Sequence, residues 1–548
     1  MRVFLSMIIK NQISALLSTG SILWMAYHKR LLRLMFSQQR FWSTFGKRHD
    51  IFWSLLFLFL MVLMFLEAEW LVWVALVPLI MLAVRGSIRG IIFVGSIVIF
   101  LAGYLWIGWL KLYNNRTLVI CLISFYLFFM FFVLMTRLLY SMQGLRLWKA
   151  INNFLEDNDV EGKRTKKHFF LLVPPTVWFC AAKIASYTKI GSSWTDLAMF
   201  QPMMAPIIWI VGAKGVTCVI VLGNSLIAAW ILRRSRGIIL AGLCLFLVVG
   251  ASLIYSRLAT PEGDTVKVAL IQGNFPQSWE WRCNNTDTVI LETYTRMTRE
   301  ASEQRPDIIV WPEYAIPQDV ILKNHLLKTI KMTAKDAESY LVFGTLAELE
   351  GEINGEGRRQ DLAMIISPDT ENDALQKYAS VRPIPFEPWT IPGNELHPFT
   401  VKSYKVGILL CFEETIPTIA SELSNKGAEL LLSLSNNGRF KRTKGIHLTS
   451  LQTRLRAAEN RKYIARATNT GVTQVVNPCG RIIAQTRPFT RKILIADVGI
   501  SLRTTIFSRY GDWVLMIIIF VSWCYVGLYY LILPVKFRGR KSGDGNSS

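Results

Sequence analysis

Residues 406–414 read Val406-Gly407-Ile408-Leu409-Leu410-Cys411-Phe412-Glu413-Glu414. The apolar run has the length and composition of a strand, and it stops abruptly at a thiol followed by two carboxylates. Open α/β sheets place their chemistry at the carboxyl ends of strands, so Cys411 is the first candidate nucleophile. A second strand end lies in Val310-Trp311-Pro312-Glu313-Tyr314-Ala315-Ile316-Pro317, where prolines fix the turn. A thiol nucleophile needs a proton acceptor, and it needs a cation or hydrogen-bond donors for the oxyanion that follows attack on an acyl carbon. Glu313 offers the acceptor. Lys377, in Leu375-Gln376-Lys377-Tyr378 ahead of Pro383-Ile384-Pro385-Phe386-Glu387, offers the cation.

Outward from these strand ends, the stretch from about Pro261 to Ser508 alternates short apolar segments with polar helical ones, punctuated by Gly and Pro. That alternation predicts an α/β domain. Strands are expected at residues 266–272, 308–311, 340–344, 363–366, 404–410, 430–434, 473–476 and 492–496. A helix from about His447 to Arg461 would carry Leu448, Leu451, Leu455 and Ala458 on one apolar face. Roughly 250 residues are enough for one substantial core.

The rest of the 548-residue chain is of another kind. Hydrophobic residues make up 52% of the whole and charged residues only 18%, with 18 Trp, so much of the chain belongs in lipid and intrinsic disorder is excluded. Crossing a hydrocarbon core of about 30 Å takes about 20 apolar residues. Eight stretches approach that length: residues 51–66, 71–84, 91–110, 118–135, 169–186, 206–232, 237–255 and 513–533. Glu67 and Glu69 leave only a tight turn between the first two. The segment 3–26, broken by Lys10, Asn11 and Gln12, reads as an interfacial helix, and no small-residue cleavage site follows it to suggest a cleavable signal peptide.

The formal charge of +23 looks at first like a nucleic-acid footprint. Its distribution argues for topology instead. Basic clusters at 29–48, 85–89, 146–167, 233–236 and 536–541 all fall on one side of an eight-span bundle. The positive-inside rule then places both termini in the cytoplasm and the domain after Tyr255 outside, with no nucleic-acid partner expected. The expected organisation is an N-terminal extension (1–50), a seven-helix membrane domain (51–256), an outer catalytic domain (257–508), a final transmembrane helix (509–535) and a basic tail (536–548).

Of the eight cysteines, Cys121, Cys180, Cys218, Cys244 and Cys524 fall in the spans, and Cys283, Cys411 and Cys479 in the domain. An odd number there leaves at least one outside any intrachain disulfide. No G-x-S-x-G elbow, Walker-type loop or H-x-x-x-H pair is present, which disfavours a serine lipase of that class, a P-loop ATPase and a zinc site. His447 reads as a capping or packing residue rather than a base.

The three candidate segments resemble the Glu, Lys and Cys motifs of the nitrilase, or carbon-nitrogen hydrolase, superfamily. The stretches 268–277 (Val-Ala-Leu-Ile-Gln-Gly-Asn-Phe-Pro-Gln), Trp311-Pro312-Glu313, Cys411-Phe412-Glu413, Ser435-Asn436 and 466–471 (Arg-Ala-Thr-Asn-Thr-Gly) are similar to those of its membrane-bound branch, the apolipoprotein N-acyltransferases. The resemblance implies a multi-pass helical bundle joined to an α-β-β-α sandwich in the bacterial inner membrane. It implies a ping-pong acyl transfer without metal or other cofactor, from a membrane phospholipid through a Cys411 thioester to the α-amine of a diacylglyceryl-cysteine lipoprotein. Glu313 would take the thiol proton, Lys377 would hold the oxyanion, and Glu387 and Glu413 would support them. Phe386, Trp389, Trp279 and Trp281 are loop aromatics placed to line an entrance from the membrane. The match departs at Asn437, Gly438 and Arg439, where the family has Asp, Ala and Trp, and in the short segment between Lys377 and Cys411. A membrane-bound amidase, or a paralogue acylating a different amine, therefore stands beside the lipoprotein reading. A non-catalytic envelope protein would be expected to have lost Glu313, Lys377 or Cys411.

Overall fold

The computed structural model describes residues 48–141, 168–188, 193–259, 263–276, 286–369 and 375–538. The segment 3–26, Trp279, Trp281, Cys283 and most of the basic tail lie outside them.

The apolar sequence forms a helical bundle, and the protein is a membrane protein. Among the described residues five helices are long and apolar enough to cross a bilayer: Arg48–Phe65, Ile88–Leu112, Asn115–Ser141, Ala205–Leu232 and Arg236–Leu258. Leu171–Ser186 and Trp513–Val526 are shorter apolar helices. Phe246 and Leu247 point out of the bundle, 71% and 67% exposed. Apolar faces of that size are stable only against lipid or another apolar surface.

The expected span 71–84 is not one helix. A 3-10 turn at Glu69–Leu71, a helical turn at Val72–Ala75 and a helix at Val77–Arg85 share the distance. Pro78 stands in the first turn of that last helix, where a missing N–H breaks no intrahelical bond. Asn224 fills the break: its side chain accepts from the N–H groups of Leu76 (2.9 Å) and Val77 (3.1 Å) and donates to the Val72 carbonyl (3.0 Å). The limb nevertheless returns to the level from which it started, because Asp50, near the beginning of Arg48–Phe65, accepts from the Ser87 hydroxyl at 2.6 Å.

The α/β domain holds two six-stranded sheets. The first runs in the order β12-β1-β2-β3-β4-β5, with β1 Thr265–Gln272, β2 Ile308–Val310, β3 Tyr340–Ile353, β4 Glu356–Ile366, β5 Gln376–Ala379 and β12 Lys492–Gly499. The second runs β11-β10-β9-β8-β7-β6, with β6 Phe399–Val401, β7 Tyr404–Leu410, β8 Leu430–Ser435, β9 Tyr463–Thr468, β10 Gln474–Val476 and β11 Ile482–Gln485. At the centre of each sheet three strands are parallel, β1-β2-β3 and β7-β8-β9. Val268, Val310, Ile408 and Leu432 belong to the apolar layer between the sheets. The helices Thr286–Ser302 and Asn324–Asp336 cover the outer face of the first sheet, and Pro417–Asn425 and Gly445–Asn460 that of the second. The result is the expected α-β-β-α sandwich. Strands β5, β6, β9 and β11 are additions to the sequence reading.

Helix Gly445–Asn460 joins the two parts. Its Ala457 packs under the second sheet, whereas Leu448, Leu451, Leu455 and Ala458 merge with the core of the membrane bundle. The apolar face anticipated from sequence therefore meets membrane helices. Lys444 pairs with Glu67 at 2.8 Å and His447 with Glu69 at 2.5 Å, so the tight turn between the first two limbs docks the domain.

Candidate active site

Cys411 follows the last residue of β7 and opens a 3-10 turn, Cys411–Thr415. Its φ is +48°, in the left-handed region that a residue with a Cβ occupies at a cost of about 1–3 kcal/mol. The turn thereby lifts the thiol off the strand axis. Glu313, 4% exposed, reaches the thiol from the loop after β2 and hydrogen-bonds to it. The parallel central strands of the two sheets thus deliver a carboxylate and a thiol to one point. Burial, followed by the Glu313 charge and its hydrogen bond, pushes the thiol well above its ordinary range. The sulfur consequently keeps its proton, with the Glu313 carboxylate beside it.

The neighbouring carboxylates have separate duties. Glu413 is fully buried and accepts from Tyr378 Oη (2.8 Å), Ser380 Oγ (3.0 Å) and the N–H groups of Val381 (2.8 Å), Arg382 (3.2 Å) and Leu410 (2.8 Å). It ties the end of β5 in the first sheet to the end of β7 in the second. Burial pushes its carboxyl up to about 7 in spite of those donors. Glu414, whose importance the sequence reading missed, takes both oxygens to Arg466 (2.8 Å each) and one also to Ser433 Oγ (2.7 Å). Both members of that ion pair are almost fully buried. Asp361 accepts from the Tyr314 hydroxyl, and burial raises its carboxyl to about 6. Glu387 is bound by two guanidinium groups, Arg439 Nη1 at 2.6 Å and Arg359 Nη2 at 3.1 Å.

Lys377 does not join them. It stands opposite Met364 on β4, and Met364 belongs to the outer core beneath Thr286–Ser302 and Asn324–Asp336. Tyr378, one residue on, points between the sheets and reaches Glu413. Side chains alternate along a strand, so Lys377 lies on the opposite face of edge strand β5 from Cys411, exposed to solvent. The expectation that Lys377 holds the oxyanion is corrected by this register.

Cys411 opens onto a cavity of about 600 Å³ whose lining is predominantly apolar. One wall is membrane helix: Cys121, Phe125, Phe128 and Phe131 of Asn115–Ser141, and Ala181 and Ala185 of His168–Ser186. The domain contributes Ile384, Phe386, Glu414, Asn437 and Phe440. Phe386 lines this cavity and Trp389 does not; the Trp389 carbonyl accepts from the Arg359 N–H at 3.0 Å. Tyr113, between two membrane helices, also lines the cavity and was not foreseen, because nothing in its local sequence points to a residue some 300 positions away.

A buried glutamate hydrogen-bonded to a cysteine at the ends of paired central strands, in a double-sheet sandwich, defines the class. The carbon-nitrogen hydrolase family matches residues 267–506. The apolipoprotein N-acyltransferase of Geobacter metallireducens is 28% identical over 404 residues, covering 67% of this chain and 74% of the relative, and that of Shewanella oneidensis is 28% identical over 396 residues, covering 65% and 73%. The chain carries a carbon-nitrogen hydrolase domain and is similar to the apolipoprotein N-acyltransferases over about two thirds of its length. Among solved structures, an amidase from Nesterenkonia aligns over 46% of this chain and 96% of its own, with 18% identity and a TM-score of 0.36.

Proposed function

We propose that the protein transfers an acyl chain in two half-reactions through a thioester on Cys411. Glu313 takes the thiol proton as sulfur attacks an ester carbonyl of a membrane phospholipid. The tetrahedral intermediate collapses, the C–O bond breaks, and the leaving alkoxide takes the proton from Glu313 to depart as lysophospholipid. In the second half-reaction an amine attacks the thioester, forming an amide and returning the proton to the thiolate. The acceptor inferred from the family is the α-amine of a diacylglyceryl-cysteine lipoprotein.

The observation that carries this reading is the apolar cavity shared by Cys411 and the membrane helices. Moving an acyl chain into water costs about 0.8 kcal/mol per CH₂, so a nucleophile that acts on lipid gains from a wall continuous with the bilayer. A soluble amide substrate would have no use for such a wall. The distribution of loop charge supports an inner-membrane location with the catalytic domain outside and both termini in the cytoplasm.

Purified protein incubated with labelled phospholipid should gain one acyl chain by intact mass, and Cys411→Ala should gain none. Adding a diacylated lipopeptide should move the label to its amine; release as free acid in the peptide's presence would assign the protein to the amidases. A reporter fused near Pro261 should be active only outside the cytoplasm.

A further inference from the structure

Charged side chains are rare in membrane helices and need a reason to be there. Lys183 stands on His168–Ser186 between Ala181 and Ala185, both of which line the cavity. Asp512, one residue before the final helix, pairs with Lys183 at 2.8 Å and lies 3.5 Å from Lys214 of Ala205–Leu232. That helix leaves helical geometry at Gly212, with φ +67° and ψ −173°, where a Cβ would meet the Phe507 ring at 2.3 Å. A break leaves the N–H groups beyond it without intrahelical acceptors. One of them, the N–H of Ala213, donates to Glu459 Oε1 at 3.0 Å. Glu459, near the end of Gly445–Asn460, pairs with Arg456 at 2.8 Å, and both side chains are buried. Arg456 Nη1 donates in turn to the Thr415 carbonyl at 3.2 Å. Thr415 closes the turn that Cys411 opens, and both residues line the cavity. A polar chain thus runs from the membrane wall of the cavity, through the break at Gly212, to the turn that carries the thiol.

We propose that Arg456 and Glu459 are positioning residues for acyl transfer, registering the turn that carries Cys411 against the membrane helices that receive the acyl chain. This assignment rests on the acyl-transfer reading above. Strength of docking does not account for the pair, because replacing a buried ion pair by apolar side chains of similar volume is often neutral or stabilising. Leu448, Leu451, Leu455 and Ala458 already give the same helix an apolar contact with the bundle. That contact is non-directional and lets the two surfaces slide. A carboxylate held by one backbone N–H and one guanidinium does not, since each bond weakens steeply when its angle opens. Register matters here because the two walls of the cavity belong to different parts of the chain. An ester seated against the membrane helices has to present its carbonyl carbon about 3–3.5 Å from the sulfur, and a misplacement of about 1 Å costs on the order of 100-fold.

Two esters test the assignment. Single-turnover acylation of Cys411, followed by intact mass, is measured with dipalmitoyl phosphatidylethanolamine in detergent and with p-nitrophenyl acetate, whose acyl group is too short to need the membrane wall. Ala213→Pro deletes the N–H that Glu459 accepts and puts a ring carbon in its place. The backbone tolerates the change, because residue 213 opens a helical segment and Gly212 is already extended at ψ. Palmitoyl transfer to Cys411 should slow by about 10–100-fold, with acetylation close to the wild-type rate. Arg456→Met combined with Glu459→Gln removes the pair as a unit. Its Tm in detergent should stay near that of the wild type while palmitoyl transfer stays slow. This double variant decides alone if Ala213→Pro does not fold. Equal slowing with both esters, wild-type palmitoyl transfer in Ala213→Pro, or palmitoyl transfer at the wild-type rate in the double variant overturns the positioning role and leaves a structural pair. A wild-type protein that takes acetyl but never palmitoyl overturns the acyl-transfer reading itself.

Discussion

A Cβ built on Gly344 of β3 would stand 2.5 Å from the Cα of Glu313 and 2.7 Å from the Pro312 carbonyl oxygen. Both neighbours are backbone, so no side-chain rotation relieves the contact. The loop that carries Glu313 can lie against the sheet only because residue 344 has no side chain. Gly344→Ala should therefore push Glu313 away from Cys411. A displacement of about 1 Å in a reacting group costs on the order of 100-fold, so acylation should fall by at least that much while Cys411 stays open to alkylation. Normal turnover in this variant would mean that the loop is not held where Gly344 places it.

Removing the charge from Glu313 separates the two effects it has on the thiol. Its carboxylate raises the thiol, so Glu313→Gln lowers the pKa of Cys411 while also removing the proton acceptor. If proton transfer limits attack, acylation drops by about 10²–10⁴-fold even though the thiol has become more acidic. A faster acylation at neutral pH would show that Glu313 serves only to hold the thiol neutral. Alkylation rate against pH gives the shift in the thiol independently of turnover.

The Glu414–Arg466 pair anchors the turn that Cys411 opens, with the two side chains 2% and 0% exposed. Breaking a buried pair by removing one partner costs about 3–5 kcal/mol, because the other charge is left without compensation. Arg466→Met should lower the apparent Tm in detergent well below that of the wild type. Arg466→Met combined with Glu414→Gln should recover much of the loss. A double variant no better than the single would assign the effect to packing of the long Arg466 chain.

How far the sequence could be read follows from where each signal is written. Cys411 and Glu313 were legible because each directly follows an apolar strand, and a parallel sheet presents such ends on one side. Lys377 was misplaced although its own strand held the answer: in Gln376-Lys377-Tyr378-Ala379 the aromatic residue takes the inner face, which turns its neighbour out. Glu413 and Glu414 stand side by side in sequence, and only the turn after Cys411 sends one toward the first sheet and the other toward Arg466. The span at 71–84 was apolar enough but held Pro78, and its break is filled by Asn224 from another helix. Tyr113, Arg439 and Glu387 converge from three distant segments with no shared periodicity, and only the folded chain shows them together.

Glu413 gives the stability a dependence on pH. Its carboxyl has a pKa of about 7 in the folded protein, raised from 4.5 by burial. The folded state thus holds the proton more tightly than the unfolded one. The stability associated with that proton is fully present below about 4.5 and is lost as the pH rises through about 7. Asp361, raised to about 6, acts in the same direction. The apparent Tm should fall as the buffer is taken from about pH 5 to about pH 8. Glu413→Gln should flatten that slope and lower the Tm at the acid end, since an amide NH₂ must then face a backbone donor such as the Leu410 N–H. A slope that survives in Glu413→Gln would assign the titration to another group.

The cavity's membrane wall should set which acyl chains are transferred. On Asn115–Ser141 the lining runs from Cys121 to Leu134, fourteen residues of α-helix and so about 20 Å of wall. On the facing helix the small residues Ala181 and Ala185 leave the space between. A Trp in place of Ala185 would project into that space while the catalytic turn, carried by the other domain, keeps its own hydrogen bonds. Long-chain phospholipids should then acylate Cys411 poorly, and a short-chain ester should do so at close to the wild-type rate. The ratio of the two rates is what decides. An equal loss for both chains would mean that the helix supports the domain without receiving the chain, and an equal retention would place the acyl group outside this cavity.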